Sequence, residues 1–277
     1  MSVKSKDKIN ISQLKEPMKK IGVSILYLVS GFMLGMSEIS GAIKPFGVAL
    51  VAASKKQNII FSAVGAILGY MTDGLTARSG GYFAAVLIAG IGAFIFDMLE
   101  LSDNTVAVIC TASASITATD LFVSARAGVL SERLLPIVGQ AIAVAGFAYF
   151  YHKSIGANFH SIRLRALPQG DLICITASLS SLLIVAGEIG IGVIYPFRAI
   201  AGAIILMAIR FAGTQWGLIL SVCCGFMLGA TDSQSVLLST GMSLGVLICS
   251  VFPSLASLGC SLVYMAVITL ISILQGD

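Results

Sequence analysis

Residues 31–53 read GFMLGMSEISGAIKPFGVALVAA, a glycine-bearing apolar run joined by a short turn containing Glu38, Lys44 and Pro45 to a second apolar run. Two such runs so close together describe neighbouring helices in a nonpolar solvent, and the rest of the chain has the same character. Of 277 residues, 57% are hydrophobic and 11% charged, and the mean hydropathy is +0.98. A water-soluble domain of this length does not carry such values. The expected solvent is lipid.

In hydrocarbon every backbone N–H and C=O must be paired within its own helix or around a closed barrel. Barrel strands alternate apolar and polar residues over about ten positions. Tyr82 to Phe96 and Ala141 to Tyr151 are instead continuously apolar and rich in Gly and Ala, the composition of helices that pack through small residues. The expected fold is therefore all-α, a polytopic transmembrane helix bundle. Spanning takes roughly 17 to 25 mostly apolar residues. Candidate segments lie at about 21–37, 40–53, 57–72, 79–99, 104–125, 134–152, 172–187, 195–209, 213–230, 235–252 and 254–274. The second, third and eighth are short for a full crossing, so the expectation is ten or eleven helices, some of them half-helices.

Lysine and arginine resist translocation and mark the cytoplasmic side. Lys4, Lys6, Lys8, Lys15, Lys19 and Lys20 define a basic arm, 1–20, ahead of a membrane domain, 21–277, and put the amino terminus inside. Counting crossings from there places twelve of the seventeen basic residues inside, among them Lys55, Lys56, Lys153, Arg163, Arg165 and Arg210. Lys44, Arg78, Arg126, Arg133 and Arg198 fall outside. The loop with Asp97, Glu100 and Asp103 also falls inside, against the trend, although acidic residues contribute little to the rule. No small-residue cleavage site follows the first apolar run, so it reads as an anchor and not as a signal peptide. The expected location is a cell membrane, crossed many times with the amino terminus inside. The basic arm and the 152–165 loop imply anionic headgroups and no nucleic acid.

Cys110, Cys174, Cys223, Cys224, Cys249 and Cys260 lie within apolar runs without a Cys-x-x-Cys pair and read as small packing residues, not metal ligands. His152 and His160 sit in or beside the largest cytoplasmic loop and read as solvated. Walker, nucleophile-elbow, zincin and paired-aspartate patterns are all missing from the sequence. No catalytic residue, cofactor or metal site is expected in these residues.

An ionisable side chain inside a membrane segment costs on the order of 2.5–3.5 kcal/mol on insertion scales, and those tolerated become functional candidates. Glu38, Lys44, Asp120, Glu188 and Asp232 are the candidate polar sites, with Arg198 and Arg210 beside them. All but Asp120 stand near helix ends, where capping or interfacial anchoring is the favoured explanation. Asp120, the deepest, has Ser and Thr neighbours able to satisfy it, or stands where its helix ends. Pro45 and Pro196 either open a helix, the favoured reading, or unwind one at a binding site. Gly31, Gly35, Gly213, Gly217, Gly225 and Gly229 recur at close spacing and are the candidate helix-packing positions. GFMLG at 31–35 returns at 225–229, 194 positions on, and the same offset sets Glu38 opposite Asp232 and Tyr70 opposite Tyr264. A shorter echo pairs Glu38 and Pro45 with Glu188 and Pro196. Either the chain contains parallel internal repeats, or glycine-rich apolar segments resemble one another by composition.

GFMLG followed by GAIKPFGVALVAA, and the later RAIAGAIILMAIRFAGTQWGLILSVCCGFMLG, resemble the amino-terminal multispanning membrane region of stage II sporulation protein E, a membrane-anchored type 2C serine/threonine phosphatase. The likeness extends over most of the chain in layout. It implies a domain that anchors the phosphatase, places it at the division septum of a sporulating bacterium and promotes self-association, with division or sporulation proteins as partners. Manganese or magnesium would belong only to the phosphatase domain, which is absent from this chain, so the residues are expected to be an excised membrane domain. Met36-Ser37 departs from the basic residue the family would place after the first glycine motif. The alternative from another class is a small-solute secondary transporter or substrate-binding membrane subunit, motivated by acidic residues on repeated turns.

Overall fold

The computed structural model describes residues 11–39, 43–72, 74, 76–156, 168–188, 196–211, 213–231 and 235–251, with 259, 262 and 264–267 near the carboxyl end. Ten helices are named among them: α1 (Ile11–Met36), α2 (Phe46–Ala53), α3 (Asn58–Met71), α4 (Ala77–Met98), α5 (Thr105–Arg126), α6 (Leu130–Gly156), α7 (Gln169–Glu188), α8 (Pro196–Phe211), α9 (Thr214–Thr231) and α10 (Ser235–Val251). The described residues contain no β-strand, only the isolated bridge between Ile39 and Ile43. The fold is all-α. Among the described residues three helical stretches, Ser79–Met98, Thr105–Arg126 and Leu130–Gly156, are long and apolar enough to cross a membrane.

Direction alternates along the chain, and side-chain contacts fix it. Lys44, just before α2, donates its N–H to the Tyr82 hydroxyl near the start of α4 (3.2 Å). Lys55, just after α2, pairs with Asp103 beyond the end of α4. Helices α2 and α4 therefore run the same way. Gln140 in α6 reaches Tyr82 (3.2 Å) and His152 further along reaches the Asp103 carbonyl (3.3 Å), so α6 runs with them. Ser154–Ser178 and Tyr151–Ser181 contacts make α7 antiparallel to α6. Two ends result. One carries Lys44, Tyr82, Glu132 and Arg133; the other carries Lys55, Lys56, Asp103 and His152.

Local chemistry sets several boundaries. Thr76 and Ser79 form a reciprocal capping box that starts α4, and the Asn104 side chain accepts from Val106 N–H (3.0 Å) to start α5, each satisfying donors a helix leaves open. Gly128 takes φ +72° in the α5–α6 turn, a backbone conformation L side chains resist. Pro45 stands immediately before α2 and Pro196 opens α8, positions where proline's missing N–H would have had no helical partner.

Some sequence expectations need correction. The second segment, expected as apolar helix over 40–53, is helical only over Phe46–Ala53, eight residues or about 12 Å at 1.5 Å per residue. Proline restricts the residue before it to extended backbone, which keeps Lys44 and the bridged Ile43 out of the helix. An eight-residue helix does not cross a bilayer, so the count of ten or eleven crossings is not carried by α2. Helix α1 begins at Ile11, so half of the basic arm continues the helix instead of preceding it. Helix α6 runs past 134–152 in both directions, with Pro136 inside it. The last expected segment, 254–274, lies mostly outside the described residues.

The core is centred on α2. All eight of its residues are buried, packed among Leu34, Tyr70, Val86, Ala112, Val144 and Phe147. The Phe46 and Phe147 rings meet edge to face at 4.5 Å, the geometry aromatic quadrupoles favour. A second cluster joins α8, α9 and α10 through Ile205, Leu220, Cys224, Met242, Val246 and Tyr264. The Tyr70 ring lies against Gly47 of α2 and the Tyr264 ring against Gly245 of α10. The 194-residue offset would have put the second glycine at 241, one helical turn earlier.

Candidate functional site

The two polar features of the bundle meet at its Lys44 end. Lys44 is 5% exposed. Its Nζ stands 3.4 Å from the Met36 carbonyl oxygen, a cation at the negative end of α1 where helix carbonyls lack partners. Its main chain is held from two helices: Tyr70 of α3 donates its hydroxyl to the Lys44 carbonyl (3.1 Å), and Tyr82 of α4 accepts from the Lys44 N–H. Tyr70 and Tyr82 stack at 4.9 Å. Gln140 of α6, only 4% exposed, donates to the same Tyr82 oxygen. One extended turn is thereby tied to three helices.

Beside this hub lies a cavity of about 400 Å³ between the end of α5 and the start of α6. Tyr82 and Gln140 line it, together with Ser124 and three charged side chains, Asp120, Glu132 and Arg133. Pro136 is part of the wall, and because it has no N–H it removes the bond that Glu132's carbonyl would have received within α6. Asp120 is half-buried, and α5 continues past it to Arg126. Two of the neighbouring hydroxyls are engaged within the helix: Thr117 donates to the Ser113 carbonyl and Thr119 to the Ser115 and Ile116 carbonyls, and each hydroxyl has one proton to give.

The other sequence candidates do not converge here as a set. Glu38 is half-buried between the end of α1 and the Ile39–Ile43 bridge, on the same end as Lys44. Glu188 closes α7. Asp232 lies outside the described residues. Arg198 and Arg210 are in α8. His152 is not solvated as its loop position implied: it is 6% exposed inside α6, with Nδ1 lacking a partner and Nε2 near the Asp103 carbonyl. His160 lies outside the described residues. Cys110, Cys174, Cys223 and Cys224 are free thiols. Among the described residues no three His, Cys, Asp or Glu side chains are grouped to hold a metal ion.

The glycines divide by role. Gly31 and Gly35 of α1 face α3, where a Cβ would stand 2.5 Å from the Ser62 and Ala66 carbonyl oxygens respectively. Gly65 and Gly69 of α3 answer them, their Cβ positions colliding with the Leu28 and Phe32 carbonyls. The pairs advance together, so α1 and α3 cross in parallel with four glycines at the contact, close enough for Cα–H···O contacts. Gly31 and Gly35 are thus occupied within the chain. Gly217 abuts the Ile209 side chain, whereas Gly213 takes φ +112° in the α8–α9 turn with open space around it. Gly225 is buried in α9, and Gly229 lies one turn further on.

Sequence reasoning gave no packing or hydrogen-bonding role to Gly65, Gly69, Tyr70, Tyr82 or Gln140, although Tyr70 entered the repeat comparison. GAILG at 65–69 carries the small-xxx-small spacing in plain view, and Gln140 is a lone amide in an apolar run, the kind of residue that bonds across helices. Tyr82 carried no signal beyond its hydroxyl.

At the opposite end, the acidic loop sits where Lys55 can pair with it. Asp103 is 90% exposed at the side chain, and the hydrogen bond and charge of Lys55 hold its carboxyl below the ordinary value of 3.8. A lowered folded-state pKa stabilises above the unfolded value, and that contribution fades as pH falls through the lowered one. Thermal unfolding of wild type and Asp103→Asn should therefore differ slightly at neutral pH and converge as the pH falls through the lowered pKa of Asp103. A difference that persists in acid would remove the ion pair as its source. Raising salt should shrink the neutral-pH difference, since the pair is exposed.

Comparison with family models, with curated proteins and with solved structures finds no match to this chain.

Proposed function

We propose that this chain is a polytopic membrane domain whose work is anchoring and placement, of the kind found at the amino end of stage II sporulation protein E. The observation that carries the reading is α2. A conduit through the bundle would run where this short helix lies, and all eight of its residues are buried in close-packed apolar surroundings. A solid centre supports a scaffold whose functional surfaces are its ends and its flanks. Three long apolar helices and exposed lipid-type side chains such as Ile91, Phe94 and Ile142 support bilayer embedding.

Separation of Lys55, Lys56 and Lys153 from Arg126 and Arg133 by the length of the bundle supports an amino terminus on the inner side, since the first group outnumbers the second once the arm is added. On this reading the chain holds a cytoplasmic phosphatase at the septal membrane and associates with copies of itself. The α1–α3 glycines are committed internally and Gly225 is buried in α9, so self-association would use other faces.

In a background with the native cysteines replaced, Lys56→Cys should be shielded from a membrane-impermeant maleimide in intact cells and Arg133→Cys should react. The reverse pattern would overturn the orientation. A fluorescent fusion should concentrate at the asymmetric septum of a sporulating host; even distribution over the cell membrane would end the placement reading. Glu38→Gln should leave septal placement unchanged. A transporter would instead lose uptake with Glu38→Gln while remaining folded.

A further inference from the structure

We infer that the cavity between α5 and α6 is a binding site for the headgroup of an ammonium-bearing phospholipid, of the phosphoethanolamine type. The inference rests on bilayer embedding and goes beyond anchoring. The ligand needs both signs of charge, because the lining has both: carboxylates at Asp120 and Glu132, and a guanidinium at Arg133. Arginine's planar donor fork suits a phosphate. Carboxylates accept from an ammonium with three N–H donors, and they gain less from a quaternary choline, which has none. Whatever Asp120 bonds within the chain, an ionised carboxylate has about four lone-pair sites, so a second donor can be accommodated.

Depth agrees with the chemistry. Glu132 and Arg133 stand in the first turn of α6, about 3–5 Å from its start at 1.5 Å per residue, within the interfacial layer that flanks a hydrocarbon core of about 30 Å. Asp120 lies about 9 Å from the end of α5, and the buried Gln140–Tyr82 pair forms the polar floor below. A volume of about 400 Å³ falls within the roughly 300–1,000 Å³ of small-molecule sites.

A lipid, not a free solute, is indicated by the apolar flanks of the same two helices. Phe122 on α5 and Leu134, Leu135 and Val138 on α6 are all exposed, Leu135 to 83%, and each neighbours a cavity-lining residue in sequence. In a bilayer these flanks face acyl chains, so a headgroup in the cavity keeps its own chains in the hydrocarbon beside it. A soluble phosphate ester has no apolar part to place there.

The test is native mass spectrometry of the whole detergent-released chain, titrated with phosphatidylethanolamine, phosphatidylcholine, phosphatidylglycerol and free phosphoethanolamine. Phosphatidylethanolamine should be retained roughly tenfold better than the other two lipids, the effect of one charge-assisted hydrogen bond. Arg133→Gln should weaken retention of all three lipids. Asp120→Asn should erase only the preference. Glu132→Gln, at an exposed position, provides the same reading if Asp120→Asn fails to fold. Equal retention of the ethanolamine and choline lipids overturns the inference, as does free phosphoethanolamine binding as tightly as its lipid. Continued dependence on detergent in either outcome keeps bilayer embedding separate from the headgroup claim.

Discussion

Gly65→Leu should yield no monodisperse protein in detergent, whereas Gly139→Leu, about a third of the way along the apolar helix α6, should behave as wild type. The difference follows from what a side chain would meet. At Gly65 the Cβ position collides with the Leu28 carbonyl and lies 2.9 Å from Phe32 N, both main-chain atoms of α1; at Gly139 nothing stands within 4 Å. A flexible side chain can move aside, but helix backbone cannot without separating α1 from α3. Those two helices share four glycines at their crossing, so even Gly65→Ala forces the axes apart and should cost about 1–3 kcal/mol, with Leu costing more.

For a chain of this size 1 kcal/mol corresponds to roughly 2–4 °C, so Gly65→Ala should lower the Tm by several degrees in a detergent thermal melt. Gly35→Ala should resemble it, since its Cβ would stand 2.5 Å from the Ala66 carbonyl. Gly22→Ala, on the same helix as Gly35 but with open surroundings, should be neutral or slightly stabilising through helix propensity. Equal melting of the Gly22 and Gly65 variants would mean that α1 and α3 are not in close contact.

The same glycines explain what was legible in the sequence. Helix class, most helix boundaries and the separation of basic residues to two ends follow from hydropathy and from Lys and Arg positions, because those are properties of each segment alone. The α1–α3 crossing required knowing which segments touch. GFMLG and GAILG carry equal spacing, and nothing in either says that they face each other in parallel with α2 turned back between them. Asp120 was singled out by its charge, while Gln140 and Tyr82, which line the same cavity, were passed over because the partners that satisfy a neutral polar group are not visible in the sequence. Lys44 was expected to cap a helix end or anchor at the interface, and its Nζ does stand at the last carbonyl of α1; its burial was not legible, since the helices that shield it are adjacent to it only once the chain has folded. His152 fails for the same reason: the Asp103 carbonyl it approaches is 49 residues away.

Tyr82→Phe should destabilise far more than Tyr70→Phe, although the two rings stack and each loses one hydroxyl. The Tyr82 oxygen accepts from two buried donors, the Lys44 N–H and the Gln140 side-chain amide, both at 3.2 Å. Removing it takes that acceptor from both, at about 1–3 kcal/mol for each donor left unsatisfied. Tyr70 instead gives one proton to the Lys44 carbonyl, and a carbonyl acceptor left short of one bond is the lesser loss. Equal melting shifts for the two phenylalanine variants would show that the Tyr82 oxygen is not the shared acceptor. A second substitution isolates the cause. Gln140→Leu in the Tyr82→Phe background removes one stranded donor and fills its volume with apolar atoms, so the double variant should be more stable than the sum of the single effects predicts, with a coupling of about 1 kcal/mol or more. Simple additivity would assign the loss to ring packing against Tyr70 and leave the hub with no role in holding the Lys44 turn against α4 and α6.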